Sequence, residues 1–207
     1  MKLLAVDPSL TCSGWALFNT INKELLAVGQ LKSLPSTYSL EDRLKDLQDK
    51  FSKIFKKISL QEFDILITEA PTTTIDPNAL IKVEQVRSLI ESIARSLNVK
   101  VAGRINPRTV QYEVLGLKGK QLDRDNVKLI ARNLVYKLYK TPLENLKLIS
   151  CEEDLKKHQD IVDAILIGHL CLSKLDSANM IKTSLEAYLA STQIKSKNRR
   201  FKESDFR

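Results

Sequence analysis

The chain has 207 residues, 43% apolar and 28% charged, enough for one substantial domain with a sizeable core, and wholesale disorder is excluded. No apolar run approaches the roughly 20 residues of a membrane helix, and Asp7 comes too early for a signal-peptide core, so the chain is expected to stay where it is made, with no membrane partner. The three cysteines, Cys12, Cys151 and Cys171, lack the spacing of a disulfide framework or a structural zinc, and a reducing compartment fits. His158 and His169 are the two histidines, so any metal must be held chiefly by carboxylate oxygens, which points to magnesium or manganese.

Taken in chain order, Lys2 to Val6 is a short aliphatic strand that ends abruptly at Asp7-Pro8. Gly14 to Asn19 and Lys23 to Leu31 read as two more strands, so a hairpin starts the sheet. Leu40, Leu44, Leu47, Phe51, Ile54, Phe55 and Ile58 keep a helical period behind Ser39 as a cap. Phe63 to Thr68 is a second buried strand, and it too ends on an acid, Glu69, before Ala70-Pro71. A helix over Asn78 to Leu97, a short strand from Val99, and a helix opened by Asn106-Pro107 follow. Gly116 to Lys120 reads as a flexible basic loop, and the next helix runs from about Asp123 to Tyr139. Pro142 to Asp154 reads as irregular, and an apolar helix covers about Gln159 to Leu175. The architecture is α/β: a mixed sheet beginning with an antiparallel hairpin, with helices on both faces. Residues 1–175 form the folded domain, and 184–207 read as a basic, mobile tail.

The positive charge is concentrated. Between Lys100 and Lys140 there are ten basic and three acidic residues, an electrostatic footprint for nucleic acid, although an acidic lipid or a solvated helix face would look the same in composition. The acids are arranged too. Ligands of open α/β sheets gather at the carboxyl ends of strands, where Asp7 and Glu69 stand, and Asp160 and Asp163, three apart on the last helix, point from one face. Singly, each has a plainer explanation as a turn former, helix cap or dipole partner. Together they form a set of buried like charges that needs cations.

These residues resemble a known family. Leu4-Ala-Val-Asp7-Pro-Ser-Leu-Thr-Cys-Ser-Gly14-Trp-Ala is similar to the opening motif of RuvC-type Holliday junction resolvases, and Ile65-Leu-Ile-Thr-Glu69-Ala-Pro resembles their second. Asp160-Ile-Val-Asp163-Ala-Ile resembles their final D-x-x-D-A signature, and Pro107 through Arg124 to Val127 their basic segment. The resemblance spans Lys2 to Leu175 and implies an RNase H-like fold. It also implies a Mg²⁺-dependent endodeoxyribonuclease in which Asp7, Glu69, Asp160 and Asp163 hold two Mg²⁺ ions, with Mn²⁺ as a substitute. Arg104, Arg108, Lys118, Lys120 and Arg124 would contact DNA. His158, by its place just before the last helix, reads either as an accessory that approaches the metals or as a solvated helix-end histidine. A homodimer would nick four-way junctions symmetrically, in the cytoplasm beside the nucleoid or as a phage product in its host.

The chain departs from the family pattern at several positions. Ser9 stands where many members have Gly, Thr72 to Thr74 where bacterial members carry a base-stacking aromatic, and Gln111 and Arg124 at positions that are often Lys. Three other readings stay open: a nuclease for other branched DNA, a non-cleaving nucleic-acid module of the same fold, and an ATP-handling domain suggested by Asp7 to Thr11.

Overall fold

The computed structural model describes residues 1–62, 64–71, 76–117 and 123–192. The elements follow as β1 (Lys2–Asp7), β2 (Cys12–Asn19), β3 (Leu25–Lys32), α1 (Leu40–Lys57), β4 (Ile65–Glu69), α2 (Pro77–Ser96), β5 (Lys100–Ile105), α3 (Pro107–Glu113), α4 (Arg124–Asn145) and α5 (Gln159–Met180). A 3₁₀ helix, Glu152–His158, precedes α5. The five strands form one sheet in the order β3-β2-β1-β4-β5. β1, β2 and β3 run antiparallel to one another in turn, while β4 and β5 lie parallel to β1, so the mixed, hairpin-first sheet expected from the sequence is present.

Alternation along the strands separates two cores. Leu3, Ala5, Ala16, Phe18, Ile65 and Ile67 face α4 and α5, whereas Leu4, Val6, Trp15, Leu17 and Leu66 face α1 and α2. Local chemistry starts the helices where the sequence indicates. The Ser39 side chain accepts the N–H of Asp42 at the head of α1, with Lys56 and Lys57 in its last turn, and Leu47, Phe51 and Phe55 bury one stripe. Asp76 and Asn106 cap α2 and α3, each followed by proline at the first helical position, and Asp123 caps α4.

Several boundaries differ from the sequence expectation; α5, for one, runs to Met180 instead of ending near Leu175. α4 continues past Tyr139 to Asn145 and bends where Tyr139 takes φ −127°, ψ 15°. Pro142 lacks an N–H and its ring crowds the carbonyl four residues earlier, so the helix kinks instead of ending. Residues 185–192, expected as the start of the tail, are helical, and Leu185 and Leu189 join the α5-side core. Their spacing of four is one amphipathic stripe, a signal that the charge count of the segment hid. The rest of the expected tail, 193–207, lies outside the described residues.

Candidate active site

The register decides where the acids go. Asp7 closes β1 opposite Gly14, Gly14 is opposite Gln30 of β3, and Val6 pairs with Thr68, which puts Glu69 at the next level beside Asp7. Asp7 has the parity of Leu3 and Ala5, and Glu69 that of Ile65 and Ile67, so both face α5. A row of Gln30, Gly14, Asp7 and Glu69 thus crosses four strands at one end of the sheet.

α5 delivers the other two acids because β2 lets it come close. A Cβ on Gly14 would overlap the backbone C=O of Asp160, and a Cβ on Gly168 would overlap the Phe18 ring. From Gly14 to Phe18 the strand advances about 13 Å, and from Asp160 to Gly168 the helix advances about 12 Å. The helix therefore runs alongside β2, antiparallel to β1, and its first turn lands over the carboxyl end of β1. Asp160 and Asp163 arrive beside Asp7 because these two glycines leave room for them.

The electrostatics register the crowding. Burial holds the Asp7 carboxyl well above the ordinary carboxylate range, and the charges of Glu69, Asp163 and Asp160 push it the same way. Glu69 is raised to about 7 by burial and then by Asp163, with Arg87 pulling it down, and a hydrogen bond joins its carboxyl to that of Asp7. Asp163 is raised to about 6, again chiefly by burial; its hydrogen bond from Gln159 and the charges of Lys128 and Arg124 oppose the rise. Four acids sharing one low-dielectric pocket repel one another, and either protons or cations relieve that repulsion.

Each carboxylate of the helical pair also has its own partners. Gln159 Nε2 donates to Asp163 Oδ1 at 2.9 Å, and Arg132 of α4 donates to Gln159 Oε1 at 3.0 Å. Gln30 Nε2 donates to Asp160 Oδ2 at 3.3 Å. Burial and a hydrogen bond to Asp160 raise the Cys12 thiol to about 12, so it stays protonated as a donor. With the side chains so directed, no three His, Cys, Asp or Glu among the described residues enclose an ion as they stand. The donor set itself is all carboxylate oxygen, half-buried and mutually repelling, and it fits a hard divalent cation such as Mg²⁺ or Mn²⁺ better than any soft metal.

The expected basic residues divide. Arg124 and Lys128 lie one turn apart on α4, and both act on Asp163, with Arg132 one turn further on the same face. Arg108 is exposed in the first turn of α3, at the site end of β5. Arg104, expected on a DNA face, has its guanidinium ion-paired with Glu91 and Glu84 on the α2 side of the sheet. Lys118 and Lys120 lie outside the described residues. His158 occupies the N-cap position of α5 with Nδ1 buried and without a hydrogen-bond partner among the described residues. Sequence reasoning missed Gln30, Cys12, Gln159, Lys128 and Arg132 as site residues. The four-residue spacing of Arg124, Lys128 and Arg132 was the one available signal; the hairpin residues had none.

No model of a known protein family matches the chain, and no curated protein matches it. Among the solved structures similar to it are two of Thermus thermophilus RuvC. Thermus thermophilus RuvC in complex with a Holliday junction substrate is 16% identical over 87% of this chain and 96% of that one, with a TM-score of 0.59. A second T. thermophilus RuvC structure is 16% identical over 89% and 99%, with a TM-score of 0.58. At this identity the likeness establishes the fold, RNase H-like with a hairpin-first mixed sheet. Among the described residues no helix is long and apolar enough to cross a membrane.

Proposed function

We propose that the chain is a divalent-cation-dependent endonuclease that acts on branched DNA, four-way junctions first, as a homodimer. The observation that carries this reading is the convergence of Asp7, Glu69, Asp160 and Asp163 at one sheet end, faced by the basic row of α4. A non-cleaving binding module has no use for four carboxylates gathered at one sheet end, three of which are held above their ordinary range. An ATP-handling domain leaves Asp160 and Asp163 without a task.

Asp7, Glu69, Asp160 and Asp163 would hold Mg²⁺, which supplies an activated water and charge stabilisation for phosphodiester hydrolysis. The remaining work falls to the chain's own groups. Arg124 and Lys128 offer a fork and a point charge to backbone phosphates beside the acids. Arg132, through Gln159, holds the Asp163 carboxylate in place. Gln30 and the Cys12 thiol do the same for Asp160. The hydrogen bond between Asp7 and Glu69 gives a proton a place to rest when no cation is bound. Arg108 extends the phosphate contacts away from the acids, and Lys118 and Lys120, between α3 and α4 in the sequence, add positive charge for the same backbone.

Two-fold symmetry suits a four-way junction, because two identical sites can cut opposed strands. The test is incubation of the purified protein with synthetic four-way, three-way and linear DNA, with and without Mg²⁺. Paired, ligatable nicks in the four-way substrate, dependent on cation, are expected. Binding without cleavage in Mg²⁺ and Mn²⁺ would reject the nuclease reading, and equal cleavage of linear duplex would reject the junction preference.

A further inference from the structure

The end of β4 is held from behind by a chain of charged side chains. Arg87 of α2 is fully buried, and its Nε–H donates to the backbone carbonyl of Glu69 at 2.6 Å. The same guanidinium pairs with Glu84 one turn earlier on α2. Glu84 also accepts from Arg104 of β5 at 3.2 Å. Arg104 in turn grips both oxygens of Glu91 at 2.9 and 3.2 Å, and Glu91 accepts the hydroxyl of Thr68 at 3.4 Å. The network starts on the backbone of residue 69 and returns to the side chain of residue 68, tying α2, β5 and β4 together immediately behind a candidate cation ligand.

Packing does not demand this arrangement. Val86, Ile90, Ile93 and Ala94 already bury α2 against the sheet, and a buried ion network is a weak source of net stability compared with apolar residues of similar size. What the network supplies is direction. Thr68 and Glu69 project to opposite faces of β4, so fixing the Thr68 hydroxyl and the Glu69 carbonyl fixes the face on which the Glu69 side chain leaves the strand, the one toward α5 and Asp7. A rigid fork with several donors is the group suited to hold a carbonyl and a carboxylate at once.

We propose that Arg87, braced by Glu84, Arg104 and Glu91, is the positioning residue that sets Glu69 for a divalent cation. This rests on the reading of the four acids as cation ligands. Groups behind a metal ligand commonly govern affinity by 10- to 100-fold when removed.

The experiment measures Mn²⁺ binding to the full chain by calorimetry, together with the melting temperature of the cation-free protein, for the wild type, Arg87→Lys and Glu84→Gln. Arg87→Lys, which can donate but cannot fork, is expected to weaken Mn²⁺ binding about 10-fold, and Glu84→Gln about 3-fold. Cleavage by Arg87→Lys should recover at correspondingly higher Mn²⁺. A purely structural role predicts lower melting temperatures with unchanged Mn²⁺ affinity, and that result overturns the proposal while leaving the nuclease reading intact. Should Arg87→Lys fail to fold, Glu84→Gln and Arg104→Lys, which keep the Arg87 bond to Glu69, decide by the same readout: weakened affinity supports the proposal and unchanged affinity overturns it. A wild type that binds no Mn²⁺ rejects the cation centre itself, and the positioning role falls with it.

Discussion

Asp163→Asn should make the cation-free protein more stable at pH 8, although it removes a residue placed at the heart of the site. The carboxyl has an ordinary value of 3.8 and is raised to about 6, with burial as the main cause. Below the ordinary value it is protonated in the folded and unfolded chain alike, so its charge costs nothing. As pH rises through about 6 the folded protein must hold it ionised among Asp7, Glu69 and Asp160, and stability is lost over that window. The rise from 3.8 to about 6 corresponds to about 3 kcal/mol; because Asp163 keeps partial solvent access, about 1 to 3 kcal/mol is the expectation. For a chain of this size that is a melting temperature about 3 to 10 °C above wild type. Asparagine is nearly isosteric, and its Oδ1 can still accept the bond from Gln159, so packing is preserved. The assay is thermal unfolding by circular dichroism in EDTA from pH 4.5 to 8. The gap should be widest at pH 8 and close toward pH 4.5, and saturating Mg²⁺ should reverse its sign by stabilising the wild type alone. A gap independent of pH, or a variant that melts below wild type at pH 8, would refute the account of the carboxylates as a mutually repelling cation site.

Asp7→Asn and Glu69→Gln should each abolish cleavage while leaving junction binding nearly intact, whereas Asp160→Asn should be slower and partly rescued by Mn²⁺; gel-shift and nicking assays on the same DNA separate the outcomes. Gly14→Ala should cost about 1 to 3 kcal/mol in denaturant unfolding and depress cleavage, because the new methyl meets the Asp160 carbonyl; wild-type stability would contradict the close approach of α5. Replacing Lys118 and Lys120 with Ala should reduce affinity for four-way DNA more than for duplex, since the proposed two-fold dimer would bring both copies of these lysines to DNA only at a junction; equal losses, or a monomer in sedimentation, would favour a generic branch nuclease. Deleting Lys195 to Arg207 should weaken binding most at low salt without moving the cleaved phosphates, and a shifted cleavage pattern would show that the segment reaches the site.

Much of this site was legible in the chain. A strand that ends on an acid before proline is a local signal, and it appears twice, at Asp7 and Glu69. Helical spacing of Asp160 and Asp163 is local as well, and so are the caps Ser39, Asp123 and Asn106. Even the missed helix at 185–192 carried its stripe in Leu185 and Leu189; net charge drew attention away from it. Arg104 shows the opposite case. Its charge was visible, but its partners Glu84 and Glu91 lie 20 and 13 residues away in sequence and meet it only across a helix–sheet contact.

The amino-acid sequence by itself determined the element order, the hairpin-first mixed sheet and the residue types that can serve a hard cation, because hydrophobic period, capping chemistry and strand-end acids are short-range properties. Tertiary structure decided what those residues face. Pairing register set Gln30, Gly14, Asp7 and Glu69 in one row, and a one-residue slip would have turned every one of them to the opposite face. The bare backbone of Gly14 and of Gly168 decided how near α5 could come, and so whether Asp160 and Asp163 meet the sheet acids at all. Only packing could assign Arg87 to the Glu69 carbonyl and Arg132 to Gln159, since a side chain's charge is written in the sequence but its partner depends on which surfaces the core brings into contact.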